Sequence, residues 1–252
     1  MNAIFITGTA GSGKSLLTSR LDQWYKARDN LSITLNLDPA VENLPYNPDI
    51  DIRDYIDINE LKERYSLGPN GSIIMAYDLV ATKIGEMQIE IDRLSPDYVL
   101  VDTPGQIELF SYRSSGPYIV ANINSENKAT IFLMDGVLVS SPINFVSLSL
   151  LSASINLRLR TPQINVLSKK DLILNDLENI LEWSSSDSAL REALDKENDF
   201  EFSLLSKDII RNLSENALGN ELIAVSNVTM NGFIDLSATL SRILNQGEEI
   251  HY

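Results

Sequence analysis

Short apolar runs ending on polar or glycine-containing loops alternate along this chain with longer stretches whose apolar positions recur every three to four residues. The runs Ala3–Ile6, Ser32–Leu37, Tyr98–Val101, Ala129–Met134, Gln163–Leu167 and Leu222–Val225 have the length and composition of buried strands. Between them, Leu17, Leu21, Trp24 and Tyr25 mark a helix over Leu16–Arg28, and Ile73, Ala76, Tyr77, Val80, Ile84, Met87 and Ile91 mark a long one over Ser72–Leu94. Shorter helices are predicted over Asn59–Tyr65, Pro142–Leu157 and Phe233–Leu244. This alternation predicts an α/β fold, an open and mostly parallel sheet with helices on both faces. Ala40–Ile58, interrupted by Pro45 and Pro48, predicts no regular element. Leu67-Gly68-Pro69-Asn70-Gly71 predicts a stiff turn, in which glycine ends a helix, proline fixes one dihedral and Asn-Gly tolerates positive φ. Residues 175–220 are polar and helix-prone and read as a helical insertion or lid within one domain spanning 1–252, with a frayed tail over Gln246–Tyr252.

The loops that follow the strands carry the chemistry. Gly8-Thr9-Ala10-Gly11-Ser12-Gly13-Lys14-Ser15 fits G-x-x-x-x-G-K-[ST], with an apolar strand before it and a periodic helix after it. Such a loop wraps a phosphate chain through the backbone of Gly11, Ser12 and Gly13. Lys14 would reach the β- and γ-phosphates and the Ser15 hydroxyl a Mg²⁺ ion. Asp38 ends the second strand, where ligands of open α/β sheets bind, and is a candidate for the outer shell of Mg²⁺ or for holding an attacking water. Asp102-Thr103-Pro104-Gly105-Gln106 ends the third strand: Asp102 suits the Mg²⁺ hydration shell and the Gly105 N–H suits a γ-phosphate oxygen, while Gln106 rivals Asp38 for the water. The segment from Gln106 through Glu108 to Pro117 would sense the third phosphate. After Leu167, the run Ser168-Lys169-Lys170-Asp171 fits the guanine-reading pattern [NST]-K-x-D: Asp171 accepts from the ring N–H and exocyclic amine together, and the Lys169 stem covers the base. Ser226-Asn227, after the last strand, is placed to close on the base edge.

Composition narrows the field. A formal net charge of −15 disfavours direct binding to nucleic acid and favours basic protein partners. With no cysteine and a single histidine, His251, thiol catalysis, disulfides, Fe–S clusters and the usual zinc sites drop out. The chain enters its first strand without a basic n-region, and Pro142–Leu157 is too short and polar to span a bilayer, so a cytoplasmic protein without membrane association is expected.

Taken together, Gly8 to Ser15, Asp38-Pro39-Ala40, Gly68-Pro69-Asn70, Asp102 to Gln106 and Ser168 to Asp171 resemble the GPN-loop GTPases of archaea and eukaryotes. The likeness covers residues 1 to about 175 well and the closing strand–helix unit moderately. It implies a P-loop NTPase fold related to the signal-recognition and MinD-type proteins, and a homodimeric, Mg²⁺-dependent enzyme converting GTP to GDP and phosphate. It also implies a role in assembling multisubunit complexes, RNA polymerase above all, although no residue names that client. The MinD-like relatives carry a lysine five residues before the P-loop lysine, where this chain has Thr9, so another group must act across the dimer. Asn70 of the Gly-Pro-Asn turn is the candidate, reaching the partner's γ-phosphate. Two other readings stand beside the switch GTPase. One is a P-loop kinase passing the γ-phosphoryl group to a small acceptor, with Arg191 and Arg211 as lid residues; the other is a nucleotide-bound scaffold without turnover.

Overall fold

The computed structural model describes residues 1–196 and 222–245. Among the described residues, seven strands lie in one sheet: β1 (Asn2–Gly8), β2 (Ser32–Asn36), β3 (Ile50–Asp51), β4 (Tyr98–Asp102), β5 (Asn127–Asp135), β6 (Gln163–Ser168) and β7 (Ile223–Ala224). Their order is β3-β2-β4-β1-β5-β6-β7, and every neighbouring pair is parallel. The chain winds outward from β1 to β3, returns through β4 and then crosses to β5. The order therefore reverses at β1, the position at which such sheets open a crevice beyond the strand ends.

Alternation along the strands divides the core in two. Ile4, Ile6, Leu100, Ile131 and Leu133 face α1 (Lys14–Lys26) and the closing helix α8 (Phe233–Leu244), which contribute Leu17, Leu21, Phe233, Leu236 and Leu240. Ala3, Phe5, Val99, Val101, Phe132 and Met134 face the other side. That side is covered by α3 (Pro69–Leu94), α4 (Ser115–Asn122) and α5 (Pro142–Leu159), with α2 (Ile58–Arg64) beside α3. Strands buried on both faces explain their near-continuous apolar runs. Of the insertion expected over 175–220, α6 (Leu177–Ser185) and α7 (Asp187–Asp195) are described, with Ile180, Leu190 and Leu194 joining the α5 side of the core. Residues 197–220 with Arg211, and the tail from Gln246, lie outside the described residues.

Three local expectations need correction. The stretch Ala40–Ile58 is not wholly irregular. Ile50 and Ile52 are buried, β3 pairs with β2, and a 3₁₀ turn (Ile52–Asp54) follows, because Asn36 Nδ2 and Thr34 hold Asp51 and Asp49 against the sheet edge. The Gly68-Pro69-Asn70 turn is shorter than expected: α3 opens at Pro69 rather than at Ser72, with Gly68 extended at φ −70° and Ser72 Oγ bonded back to the Pro69 carbonyl at 2.8 Å. Proline suits the first helical position because its missing N–H has no intrahelical partner there. The left-handed residue that ends α2 is Ser66 at φ 52°, not a glycine. The segment after Gln106 also gains elements, a π turn (Glu108–Tyr112) and α4, packed so closely that a side chain at Gly116 would meet the Phe110 carbonyl.

Candidate functional site

The loop from Gly8 to Ser15 leaves β1 at the crevice. Gly11 and Gly13 take φ of 75° and 94°, backbone that favours glycine, and Gly13 stands at the start of α1 without any side-chain cap. The first N–H groups of α1 are therefore available to an anion, with the helix dipole behind them. Lys14 folds back over this loop, donating to the carbonyls of Gly8 (3.0 Å) and Thr9 (2.9 Å) and reaching that of Gly105 (3.4 Å). Burial lowers its pKa, against the opposing pull of Asp102 and Asp38.

Adjacent strands bring both carboxylates to the lysine. Asp102, at the end of β4, is 1% exposed, and burial lifts its pKa to about 6, against the Ser15 and Tyr46 hydroxyls and the Lys14 charge, which lower it. Tyr46 donates to its Oδ2 at 3.0 Å, while Oδ1 is buried without a hydrogen-bond partner among the described residues. A buried carboxylate oxygen left unmatched beside a P-loop serine fits the donor set of a hydrated Mg²⁺ ion, a hard cation that seeks oxygen. Asp38 lies in a loop fixed by the fully buried Asn36, which accepts from the Asp38 N–H at 3.0 Å and donates to its carbonyl at 3.2 Å. Its carboxylate accepts from Ala40 N–H (2.9 Å) and Tyr77 O–H (2.8 Å) on Oδ1, and from Gly105 N–H (3.0 Å) on Oδ2.

At the opposite end of the crevice, β6 leads into Lys169, which takes a left-handed conformation at φ 57° and donates to Asp135 Oδ2 at 2.6 Å. Asp171 follows, part-exposed. Ser168 is buried, its hydroxyl donating to the Met134 carbonyl at 3.0 Å, and Leu167 is wholly within the core, so its side chain has no ligand-facing surface. The Ser226-Asn227 loop closes beside this strand end: Lys170 N–H donates to the Val225 carbonyl at 3.1 Å. Asn227 then bridges to the phosphate loop, donating from Nδ2 to the Gly13 carbonyl at 3.3 Å, while Arg20 Nε donates to the Asn227 carbonyl at 3.0 Å.

The structure thus brings Lys14, Ser15, Asp38, Asp102 and Gly105 together beyond β1 and β4, places Lys169 and Asp171 after β6 along the same sheet edge, and sets Asn227 against the Gly13 carbonyl. Gln106 is exposed, and it is Asp38 that touches Gly105. Asn70 is also exposed, one residue into α3, with no hydrogen bond from its side chain to its own chain among the described residues. Sequence reasoning missed Asn36, Tyr46 and Tyr77. Asn36 is a polar residue inside an otherwise strand-like run, and Tyr77 is a hydroxyl within an apolar helical stripe. Both are signals of a buried bond to be satisfied.

Comparison with known proteins agrees with this arrangement. Residues 6–246 match the family described as "Conserved hypothetical ATP binding protein". The chain is 34% identical over 237 residues to the GPN-loop GTPase QQT2 of Arabidopsis thaliana, covering 90% of this chain and 61% of that one. Against a GPN-loop GTPase of Pyrococcus abyssi it is 35% identical over 176 residues, covering 69% and 68%. The chain spans about half to two thirds of the length of the first curated relatives it matches. A crystal structure described as an apo-form GTPase from Pyrococcus abyssi superimposes with a TM-score of 0.84 at 28% identity, covering 96% of both chains. With the P-loop, the two strand-end aspartates, Gly68-Pro69-Asn70 and Ser168 to Asp171 in one fold, the chain belongs to the GPN-loop GTPase family.

Proposed function

We propose that this chain binds GTP with Mg²⁺ and hydrolyses it to GDP and phosphate, acting as a homodimeric, cytoplasmic switch for a protein client. The observation that carries the reading is the convergence of Lys14, Asp38 and Asp102 around Gly105, with Asp171 just after β6 at the same edge of the parallel sheet. Gly11 to Ser15 would hold the phosphates, with Lys14 exchanging its carbonyl partners for β- and γ-phosphate oxygens. Ser15 and Asp102 would hold the Mg²⁺ shell, the metal supplying charge neutralisation between the phosphates. A water adds to the γ-phosphorus as the bond to the β–γ bridging oxygen breaks, and Asp38 orients that water by accepting its hydrogen. Asp171 reads guanine, and Lys169 and the Ser226-Asn227 loop flank the base.

Gly68-Pro69-Asn70 would act in trans. Its exposure at the start of α3, the absence of arginine from Gly8 to Ser15 and from Asp102 to Gln106, and Thr9 at the bridging-lysine position support this reading. A two-fold dimer would place both turns at once. A neutral amide stabilises developing charge less than an arginine, so turnover is expected to be slow. The family's link to assembly of multisubunit complexes makes RNA polymerase subunits the first clients to test. A nucleotide panel with product analysis tests the activity: free phosphate from GTP and not from ATP is expected, and a phosphorylated acceptor or no release would overturn it. Mixing Lys14→Ala with Asn70→Ala subunits tests the trans arrangement. A heterodimer with one intact composite site should regain part of the activity, and no recovery despite proven exchange would return Asn70 to a local role.

A further inference from the structure

Asp38 is held by three donors that differ in what they are attached to. Ala40 N–H lies two residues along the same loop and moves with Asp38, so it cannot tie the carboxylate to the body of the protein. Gly105 N–H is the donor suited to a γ-phosphate oxygen, and one N–H serves one acceptor at full strength. When phosphate takes that N–H, Oδ2 of Asp38 is released and becomes free to accept from water. Among the described residues, the contact that then still joins the Asp38 carboxylate to something outside its own loop is Tyr77 O–H on Oδ1, at 2.8 Å, while Asn36 holds only the Asp38 backbone.

Tyr77 is built to stay in place. It is 5% exposed within the apolar stripe of α3, between Ala76 and Val80, and burial followed by the charge of Asp38 raises its pKa above the ordinary phenol value, so it remains a donor. The next residue, Asp78, forms an exposed bidentate pair with Arg113 (2.7 and 2.5 Å), on the segment that follows Gln106. Tyr77 also lies eight residues into the helix that begins at Pro69, about 12 Å along its axis. We propose that Tyr77 is a positioning residue for hydrolysis: it keeps Asp38 over the γ-phosphate after Gly105 has changed acceptor, and links that carboxylate through α3 to the Gly68-Pro69-Asn70 turn.

The inference rests on the reading of Asp38 as the group that orients water, and the experiment separates the two. Single-turnover GTP hydrolysis and fluorescent-nucleotide affinities are measured for the unmodified protein, Tyr77→Phe, Asp38→Ala and the double variant, with melting curves confirming that each is folded. Tyr77→Phe should slow hydrolysis about tenfold with GTP and GDP affinities within about twofold, and should slow Asp38→Ala no further. Full-rate hydrolysis by Tyr77→Phe, an equal loss in both backgrounds, or a parallel loss of GTP affinity would overturn the positioning role. If Asp38→Ala itself hydrolyses GTP at the unmodified rate, the assignment of Asp38 fails, and with it this inference.

Discussion

The two ends of the crevice are prepared for a ligand in opposite ways. At the phosphate end the charged side chains already have internal partners, Lys14 on carbonyls, Asp38 on Gly105 and Tyr77, and Oδ2 of Asp102 on Tyr46, while Asp102 Oδ1 and the uncapped N–H groups of α1 stay open among the described residues. At the base end the Asp171 side chain has no hydrogen-bond partner among the described residues, although its neighbours are engaged, Ser168 on Met134, Lys169 on Asp135 and Asn227 on Gly13. Binding at the first end is therefore an exchange of partners, whose net gain is small per bond but whose geometry reports what has arrived. If Asp171 reads guanine as proposed, binding at the second end makes new bonds from a waiting acceptor, and gains both energy and discrimination. A switch needs the exchange and a selectivity filter needs the waiting group.

The sharpest way to break the contrast is to remove the cation on which the exchange depends. Lys14→Ala should lower the affinity for GTP and GDP by at least ~100-fold and abolish turnover, since a charge-assisted contact to phosphate is lost while the fold keeps its core. Nucleotide titration by calorimetry checks this. Asp102 offers a second test, on stability. Its pKa is raised from the ordinary carboxylate value to about 6, chiefly by burial, so the folded state holds its proton more tightly than the unfolded chain does. The stability associated with that proton is present below about pH 4 and lost as pH rises through about 6, a cost of roughly 2–3 kcal/mol at neutral pH. Asp102→Asn should therefore raise the melting temperature of the nucleotide-free protein at pH 7.5, flatten its dependence between pH 4 and 7, and lose Mg²⁺-dependent hydrolysis. Thermal melts across that range decide it.

Asp171→Asn tests the waiting acceptor. Replacing a carboxylate by an amide sets a donor against the guanine donors, and should weaken GTP by about 2 kcal/mol, roughly thirtyfold, while xanthine nucleotides gain. Competition between GTP, XTP and ATP for one fluorescent nucleotide reads the change, and equal loss for every base would mean that Asp171 acts on the loop rather than on the base.

Each end was legible in the sequence to a different depth. The groups proposed to touch a ligand sit in loops with fixed spacing, and Lys14, Ser15, Asp102 and Asp171 could be named because the chemistry of phosphate and guanine dictates residue types in order. The groups that hold those residues could not. Asn36, Tyr46 and Tyr77 act across 2, 56 and 39 residues of sequence respectively, and whether a buried hydroxyl meets a carboxylate is decided by packing between elements. The sheet was readable for the same reason as the P-loop, since strands buried on both faces leave continuous apolar runs. Only β3 escaped, being two residues long and held at the edge by side chains rather than by its own pattern. Pro69, read as fixing a dihedral of a turn, instead begins a helix, because Gly68 stays extended ahead of it.

The smallest expected effect lies behind the base. Asp135 ends β5, is 6% exposed, and divides its carboxylate between two tasks: Oδ1 accepts from Val137 N–H at 3.0 Å, and Oδ2 accepts from Lys169 Nζ at 2.6 Å. The lysine side chain is about one third exposed, so solvent screens the pair and its contribution to stability is small. In the proposed reading its use is to hold Lys169, already in a left-handed backbone, with the aliphatic stem beside the base. Asp135→Asn keeps an oxygen for Val137 and replaces the charged acceptor of the lysine by an amide donor, so Lys169 loses the group that orients it. Melting temperature should change little, and GTP affinity should fall by about two- to fourfold, with the preference for guanine over adenine retained because Asp171 is untouched. A larger loss confined to guanine would show that the waiting acceptor is itself positioned through this pair, and the two ends of the crevice would then differ less than their hydrogen bonds indicate.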